Sequence, residues 1–170
     1  FTAEDVINLT QGTFETWIIP LWNGSDSDRY TIFEMNASGA GDYISLYKNE
    51  SGYLVAEIRD SLDNVYEVDY NVSTWFAHEK HHIAFSWQTD EMKLYTDGVL
   101  RDTLSSATMA TSYASTLYIG SDDDSKYVVN ATLDEVKIWN DTVTMFYNIT
   151  SGVEHEIDSD EVLKFIPGRY

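Results

Sequence analysis

The 170-residue chain contains no cysteine, so no disulfide braces it and its stability has to come from a packed interior, with or without a metal. It nowhere holds the roughly 18 consecutive apolar residues of a membrane span, so direct insertion into a bilayer is not expected. Phe1 does not open a basic and then apolar leader, and any signal peptide is expected to have been removed already or to lie outside this sequence. Basic residues are scarce: 10 Lys and Arg stand against 29 Asp and Glu, a formal charge of −19. Nucleic acid and anionic membranes would be repelled at long range, which leaves cations as the natural counter-ligands. The acidity has two readings that can coexist: a solvated surface suited to a salty or surface-layer setting, and carboxylates gathered around calcium. No linker, low-complexity tract or internal repeat interrupts the chain, so residues 1–170 read as a single domain. A Ser/His/Asp arrangement, a phosphate loop, a redox motif and EF-hand spacing are equally missing.

What is present favours strands. Hydrophobic residues make up 43% of the chain and aromatic residues 14%, enough for a real core, and twelve Tyr, five Trp and seven Phe accompany frequent Thr, Val and Ile. Strand-like runs are expected at 13–19, 30–35, 43–47, 53–59, 65–70, 81–87, 92–96, 99–103, 117–119, 133–139 and 162–166. Alternation places Ile83, Phe85 and Trp87 on one face, and Leu54, Ala56 and Ile58 on another. Turn residues separate the runs, among them Asn23-Gly24, Gly39-Ala40-Gly41 and Glu50-Ser51-Gly52. Asp97-Gly98 supplies the positive φ angles of a tight hairpin. The pattern is that of an all-β antiparallel sandwich or jelly roll with at most one short helix, at 142–149, capped by Asp141 or Thr142 and closed by Ser151-Gly152.

Eight of the nine Asn open an N-x-[ST] triplet: Asn8, Asn23, Asn36, Asn49, Asn71, Asn130, Asn140 and Asn148. Random placement of nine Asn among these Ser and Thr residues would give roughly 1.7 such triplets, and even doubling that for a shared preference for turns does not approach eight. Covalent N-glycans are therefore expected, and with them an extracellular or cell-surface location. Dense sequons, acidity and absent cysteine together suit an archaeal surface glycoprotein or the coat of a virus passing through such a host.

Three segments carry a family resemblance. They are the run from Gly12 to Pro20 (GTFETWIIP), then His81-His82-Ile83-Ala84-Phe85-Ser86-Trp87 followed by Lys93 to Val99 (KLYTDGV), and finally Leu117-Tyr118-Ile119-Gly120 with Leu133 to Trp139 (LDEVKIW). In this order they resemble the laminin-G-like jelly rolls of the concanavalin A-like lectin/glucanase superfamily over about residues 12–140. Two departures stand out. Only ten residues precede the first usable position where the family has a further strand, so an open sheet edge is expected to be available for strand addition. Ahead of His81 stands Ala77-His78-Glu79-Lys80, where the family prefers Trp; Trp75 is the substitute.

Asp134 falls on the alternating face of Val136 and Ile138, where a carboxylate needs a partner. The resemblance implies a calcium site near it, with Asp122, Asp123 or Asp124 as further ligands; the alternative is a carboxylate bonded to backbone amides. The string Glu156 to Glu161 fits the E-x-D-x-x-E pattern of glucanases sharing this fold, but acidic strings arise easily here. His81 and His82 point to opposite faces of one strand, which suits structural roles better than zinc. Trp22, Tyr47 and Trp139 are candidates for stacking on sugar rings, with core packing as the alternative. The leading expectation is a non-catalytic structural or assembly module of a surface layer, sheath, filament or appendage. Its partners would be copies of itself or other surface proteins, joined by β-edge pairing with calcium assistance. A carbohydrate-binding adhesin is the alternative, and a glycoside hydrolase a distant one.

Overall fold

The computed structural model describes residues 7–36, 42–110, 116–143 and 161–164. Among these are eleven strands and no helix: β1 (Gln11–Pro20), β2 (Tyr30–Asn36), β3 (Tyr43–Lys48), β4 (Tyr53–Arg59), β5 (Val65–Asn71), β6 (His81–Gln88), β7 (Glu91–Thr96), β8 (Val99–Ser105), β9 (Leu117–Ile119), β10 (Ala131–Trp139) and β11 (Glu161–Lys164). The helix expected at 142–149 lies, beyond its first two residues, outside the described residues.

Two sheets face each other, one ordered β11-β10-β1-β6-β7-β8 and the other β5-β4-β3-β2-β9, with every strand pair antiparallel. The expected alternation sets what lies between them. Ile83, Phe85 and Trp87 from one sheet, and Ile44, Leu46, Leu54, Ala56 and Ile58 from the other, are fully or almost fully buried in one core cluster. Phe14 of β1 stacks on Phe33 of β2 across the gap, ring centroids 4.6 Å apart. Burying an aromatic or aliphatic side chain of this kind contributes about 1.5–3 kcal/mol, which is how a chain without disulfides holds together. Asp97 and Gly98 have φ of 53° and 74°, the paired positive values of the expected tight hairpin.

The expected open edge is modified at both termini. Ile7 and Leu9 send their side chains into the core, and the carbonyl of Asn8 accepts a 3.1 Å bond from Trp87 Nε1. On the other side of β1, β10 is flanked by β11, so the C-terminal segment supplies the outermost strand. At the opposite margin the two sheets touch: the Asp69 amide donates to Asp102 Oδ2, and Arg101 lies over the Tyr70 ring.

Asp134 does not face the core. Opposite Glu15 to Trp17, β10 carries a bulge in which Glu135 takes a φ of 50°. The extra residue flips the alternation: Leu133 packs on the core opposite Ile18, Asp134 pairs with Trp17 on the outer face, and Val136 and Ile138 point inward again. A strict period of two, counted through a bulge that sequence does not announce, gave the wrong face.

Candidate functional site

The side chains of β2 to β5 that face away from the core form an unusual surface. Strand register aligns Glu34, Ser45, Glu57 and Glu67 in one row across four strands, with Tyr118 of β9 beside Glu34. Glu34, Ser45 and Glu57 are buried even though they face outward. They are covered by their flanks. Arg29, just ahead of β2, lays its guanidinium 3.7 Å from the Tyr47 ring centroid and 5.0 Å from that of Tyr127, while Arg59 lies over Tyr43 at 4.9 Å. Tyr47 Oη donates to Glu57 Oε2 at 2.8 Å, and the Asp123 amide donates to Glu34 Oε1 at 3.2 Å.

The electrostatics follow from this crowding. Burial, reinforced by neighbouring Glu67 and opposed by Arg59 and Arg29, pushes the Glu57 carboxyl up to about 7. Burial also raises Glu34; Asp123 and Asp122 add to this, and the Asp123 amide and Arg29 counter it. Four buried polar atoms on or beside this face lack a hydrogen-bond partner among the described residues: Ser45 Oγ, Thr31 Oγ1, Arg29 Nε and Arg59 Nε. An unsatisfied buried donor or acceptor costs about 1–3 kcal/mol, so their concentration on one face is a reserve of unmade polar contacts.

The loop from Ser121 to Ser125 supports this face. Asp122 Oδ1 accepts from the amides of Lys126 and Tyr127, closing a turn that sets Tyr127 against Arg29. Asp134 Oδ1 accepts from the Glu135 amide. Asp122, Asp124 and Asp134 are therefore not brought together, and no group of three or more His, Asp or Glu arranged to hold a metal occurs among the described residues. As placed, these carboxylates do not fit a calcium ion, which takes six to eight oxygen ligands. Of the acidic string Glu156 to Glu161, all but the last residue lies outside the described residues.

The outer face of the six-stranded sheet has an ion cluster of its own. Glu15, buried there, has Lys137 Nζ at 3.1 Å and His82 Nε2 at 3.7 Å. Burial pushes its carboxyl up, but His82 and Lys137 more than offset that and hold it low. His82 meets the Trp17 ring edge-on. His81 lies flat on Trp75, centroids 3.8 Å apart, with Nδ1 3.1 Å from Asp97 Oδ2. The two histidines thus lie on the opposite faces of β6 expected of them.

The aromatic candidates for sugar stacking are all buried: Trp22 is 4% exposed and stacks on Tyr30, Trp139 packs with Ala84, Tyr95 and Val143, and Tyr47 lies under Arg29. Sequence reasoning did not single out Glu34, Ser45 or Glu57. Their alternation with core residues was visible, but not the register that aligns them.

The sequons lie at strand ends. Asn23 follows β1, Asn49 follows β3, Asn71 ends β5 and Asn130 precedes β10, while Asn8, Asn36 and Asn140 lie at the other ends of the same strands or their partners; Asn148 is outside the described residues.

The family model described as Laminin_G_3, Concanavalin A-like lectin/glucanases superfamily, matches residues 1–145. No match was found among curated proteins. Solved structures with the same fold include a heptameric SAP-like pentraxin from Limulus polyphemus, with a TM-score of 0.60 and 15% identity over 80% of this chain and 66% of that one. Domains LG4-5 of the mouse laminin alpha1 chain match with a TM-score of 0.60 and 14% identity over 78% of this chain and 36% of that one. The botulinum neurotoxin serotype D ligand binding domain, solved in complex with N-acetylneuraminic acid, matches with a TM-score of 0.62 and 14% identity over 78% of this chain and 34% of that one. The chain thus spans under two thirds of the pentraxin and about a third of the other two. At such identities the likeness is one of fold.

Proposed function

The chain belongs to the Laminin_G_3 family of the concanavalin A-like lectin/glucanases superfamily, and from that premise we propose that it is a non-catalytic, extracellular, N-glycosylated domain that binds carbohydrate on the outer face of its five-stranded sheet. The observation that carries this is the Glu34, Ser45, Glu57 row, with Ser45 Oγ in it and Thr31 Oγ1, Arg29 Nε and Arg59 Nε beside it all lacking a hydrogen-bond partner among the described residues. Sugar hydroxyls both donate and accept, so a glycan that displaces Arg29 and Arg59 from over their tyrosines can satisfy the serine, the threonine, the guanidinium N–H groups and the carboxylates together, which an apolar or singly charged ligand cannot. Tyr43 and Tyr127, both partly exposed, add apolar ring surface around the row.

A glycosidase needs two carboxyls in opposite protonation states, one pushed up as acid and one kept ionised. Here Glu34 and Glu57 are both pushed up by burial, so this pair does not divide into an acid and an ionised nucleophile. The sequon density supports exposure outside the cell, and with the acidity and absent cysteine it suits an archaeal or viral surface. Assembly between copies is the second reading. It is favoured by β8, a seven-residue edge strand whose Val99 and Leu100 are exposed.

Screening the domain and its Ser45→Val variant on a glycan array tests the reading. Retention of the wild type on at least one glycan, weakened about tenfold or more in the variant, is expected for loss of a central hydroxyl. No retention at all, or equal retention of both, overturns it.

A further inference from the structure

The strand directions divide the sequons between two ends of the sandwich. The Leu21 amide donates to the Asn130 carbonyl, the Ala77 amide to Asn23 Oδ1, and the Val72 amide to the Gly52 carbonyl. These bonds gather Asn23, Asn49, Asn71 and Asn130 at the end where β1, β3 and β5 finish and β10 begins. Asn8 and Asn140 lie at the opposite end, beside Trp87 and Gln11, and Asn36, the last residue of β2, pairs with Tyr43 at the start of β3. None of the described sequons is on the Glu34, Ser45, Glu57 row.

The sequons also differ in access, and Asn49 at the first end is only partly exposed, as is Asn8 at the second. Asn23, Asn71 and Asn130 are exposed. At Asn71 the side-chain oxygen accepts from both the amide and the hydroxyl of Ser73, which turns Nδ2 away from the backbone. Asn140 is only partly exposed, and its Oδ1 is buried without a partner. Its carbonyl accepts from Gln11 Nε2, and the next residues are clamped onto the sheet: Thr13 Oγ1 donates to the Asp141 carbonyl and accepts from the Val143 amide.

We propose that the folded domain carries its glycans on Asn23, Asn71 and Asn130, crowning one end, while Asn140 stays unmodified and the polar face stays clear. This rests on the reading of the chain as N-glycosylated. In the transfer, Asn Nδ2 bonds to the anomeric carbon of a saccharide carried on a lipid phosphate. The C1–O bond to the donor breaks, the lipid phosphate leaves with the bonding pair, and Nδ2 loses one proton. The reaction needs Nδ2 in the open, with room for a bulky saccharide, which the three exposed positions give, whereas the bonds of Gln11 and Thr13 hold Asn140 and the rest of its triplet down against the sheet.

The test is site-resolved glycopeptide mass spectrometry on the chain secreted from a host with N-glycosylation machinery, alongside a Thr13→Val variant. Near-full occupancy is expected at Asn23, Asn71 and Asn130, and occupancy at least about fivefold lower at Asn140 that rises when Thr13→Val frees residues 141–143. Glycans on none of the eight sequons would overturn the glycosylation reading itself. Asn140 as fully occupied as Asn71, or bare Asn23, Asn71 and Asn130 beside glycans elsewhere, would overturn the division of sites alone. An Asn140 occupancy unmoved by Thr13→Val would overturn the clamp as its cause.

Discussion

Tyr47 Oη donates a 2.8 Å hydrogen bond to Glu57 Oε2 across adjacent strands, so a buried carboxyl on the outer side of a sheet is held in place by a phenol that itself lies beneath Arg29. Register makes this possible. Tyr47 is opposite Val55, two residues before Glu57 on the same face, and the diagonal is within reach of a tyrosine. Tyr47→Phe keeps the ring under Arg29 and removes only the donor. A loss of about 1–2 kcal/mol in unfolding free energy is expected, read by urea titration at pH 7.

The same carboxyl gives the domain a pH dependence. Glu57 sits at about 7 in the fold against an ordinary 4.5, first through burial and then through Glu67, with Arg59 and Arg29 opposing. Between those two values the folded chain binds more proton than the unfolded one. Glu57 therefore makes stability fall as pH rises from about 4.5 to 7, with no further change above. Glu57→Gln removes that slope, and at pH 8 it should be about 1–2 kcal/mol more stable than wild type, the shift being discounted for solvent screening. Denaturant titrations of both proteins at pH 5 and pH 8 check the sign.

Lys48 is fully buried at the end of β3, where Nζ donates to the carbonyls of Asp26 and Asp28 and to the Asp26 carboxylate. It pins the turn between β1 and β2 against the Trp22 and Tyr30 rings. Lys48→Met leaves two carbonyls unsatisfied, but Asp26 is partly exposed and can rehydrate. A destabilisation of roughly 2–3 kcal/mol is expected, below that of breaking a fully buried pair, and thermal unfolding measures it.

Gly24 is the tightest point at the end where Asn23, Asn49, Asn71 and Asn130 lie. A Cβ there would lie 1.7 Å from the Val72 carbonyl oxygen, a backbone atom that cannot swing aside. Gly24→Ala should cost about 3 kcal/mol or more, seen as a lowered unfolding midpoint in circular dichroism.

Much of the fold was legible because alternation and turn chemistry are local. The runs around Phe85 and Ile58 emerged as strands with their apolar sides inward, and Asp97-Gly98 turned as its positive φ requires. What escaped depends on two strands at once. The bulge at Glu135 exists because β10 and β1 fall out of step near Trp17, and it carried Asp134 from the expected inner face to the outer one. The Glu34, Ser45, Glu57 row depends on the registers of β2, β3 and β4 together. Trp22 and Trp139, named for possible stacking, are buried by segments distant in sequence: Trp22 near Lys48, and Trp139 against Ala84 and Tyr95.

The polar face as the carbohydrate site is tested most directly by a two-dimensional NMR titration of the isotope-labelled domain with the glycan it retains best. Amide shifts concentrated at Thr31, Glu34, Ser45, Tyr47 and Glu57, with those of Trp17, His82 and Lys137 on the other sheet unmoved, are the predicted result. Shifts confined to the six-stranded sheet, or to the loop carrying Asp122 and Asp124, would contradict it.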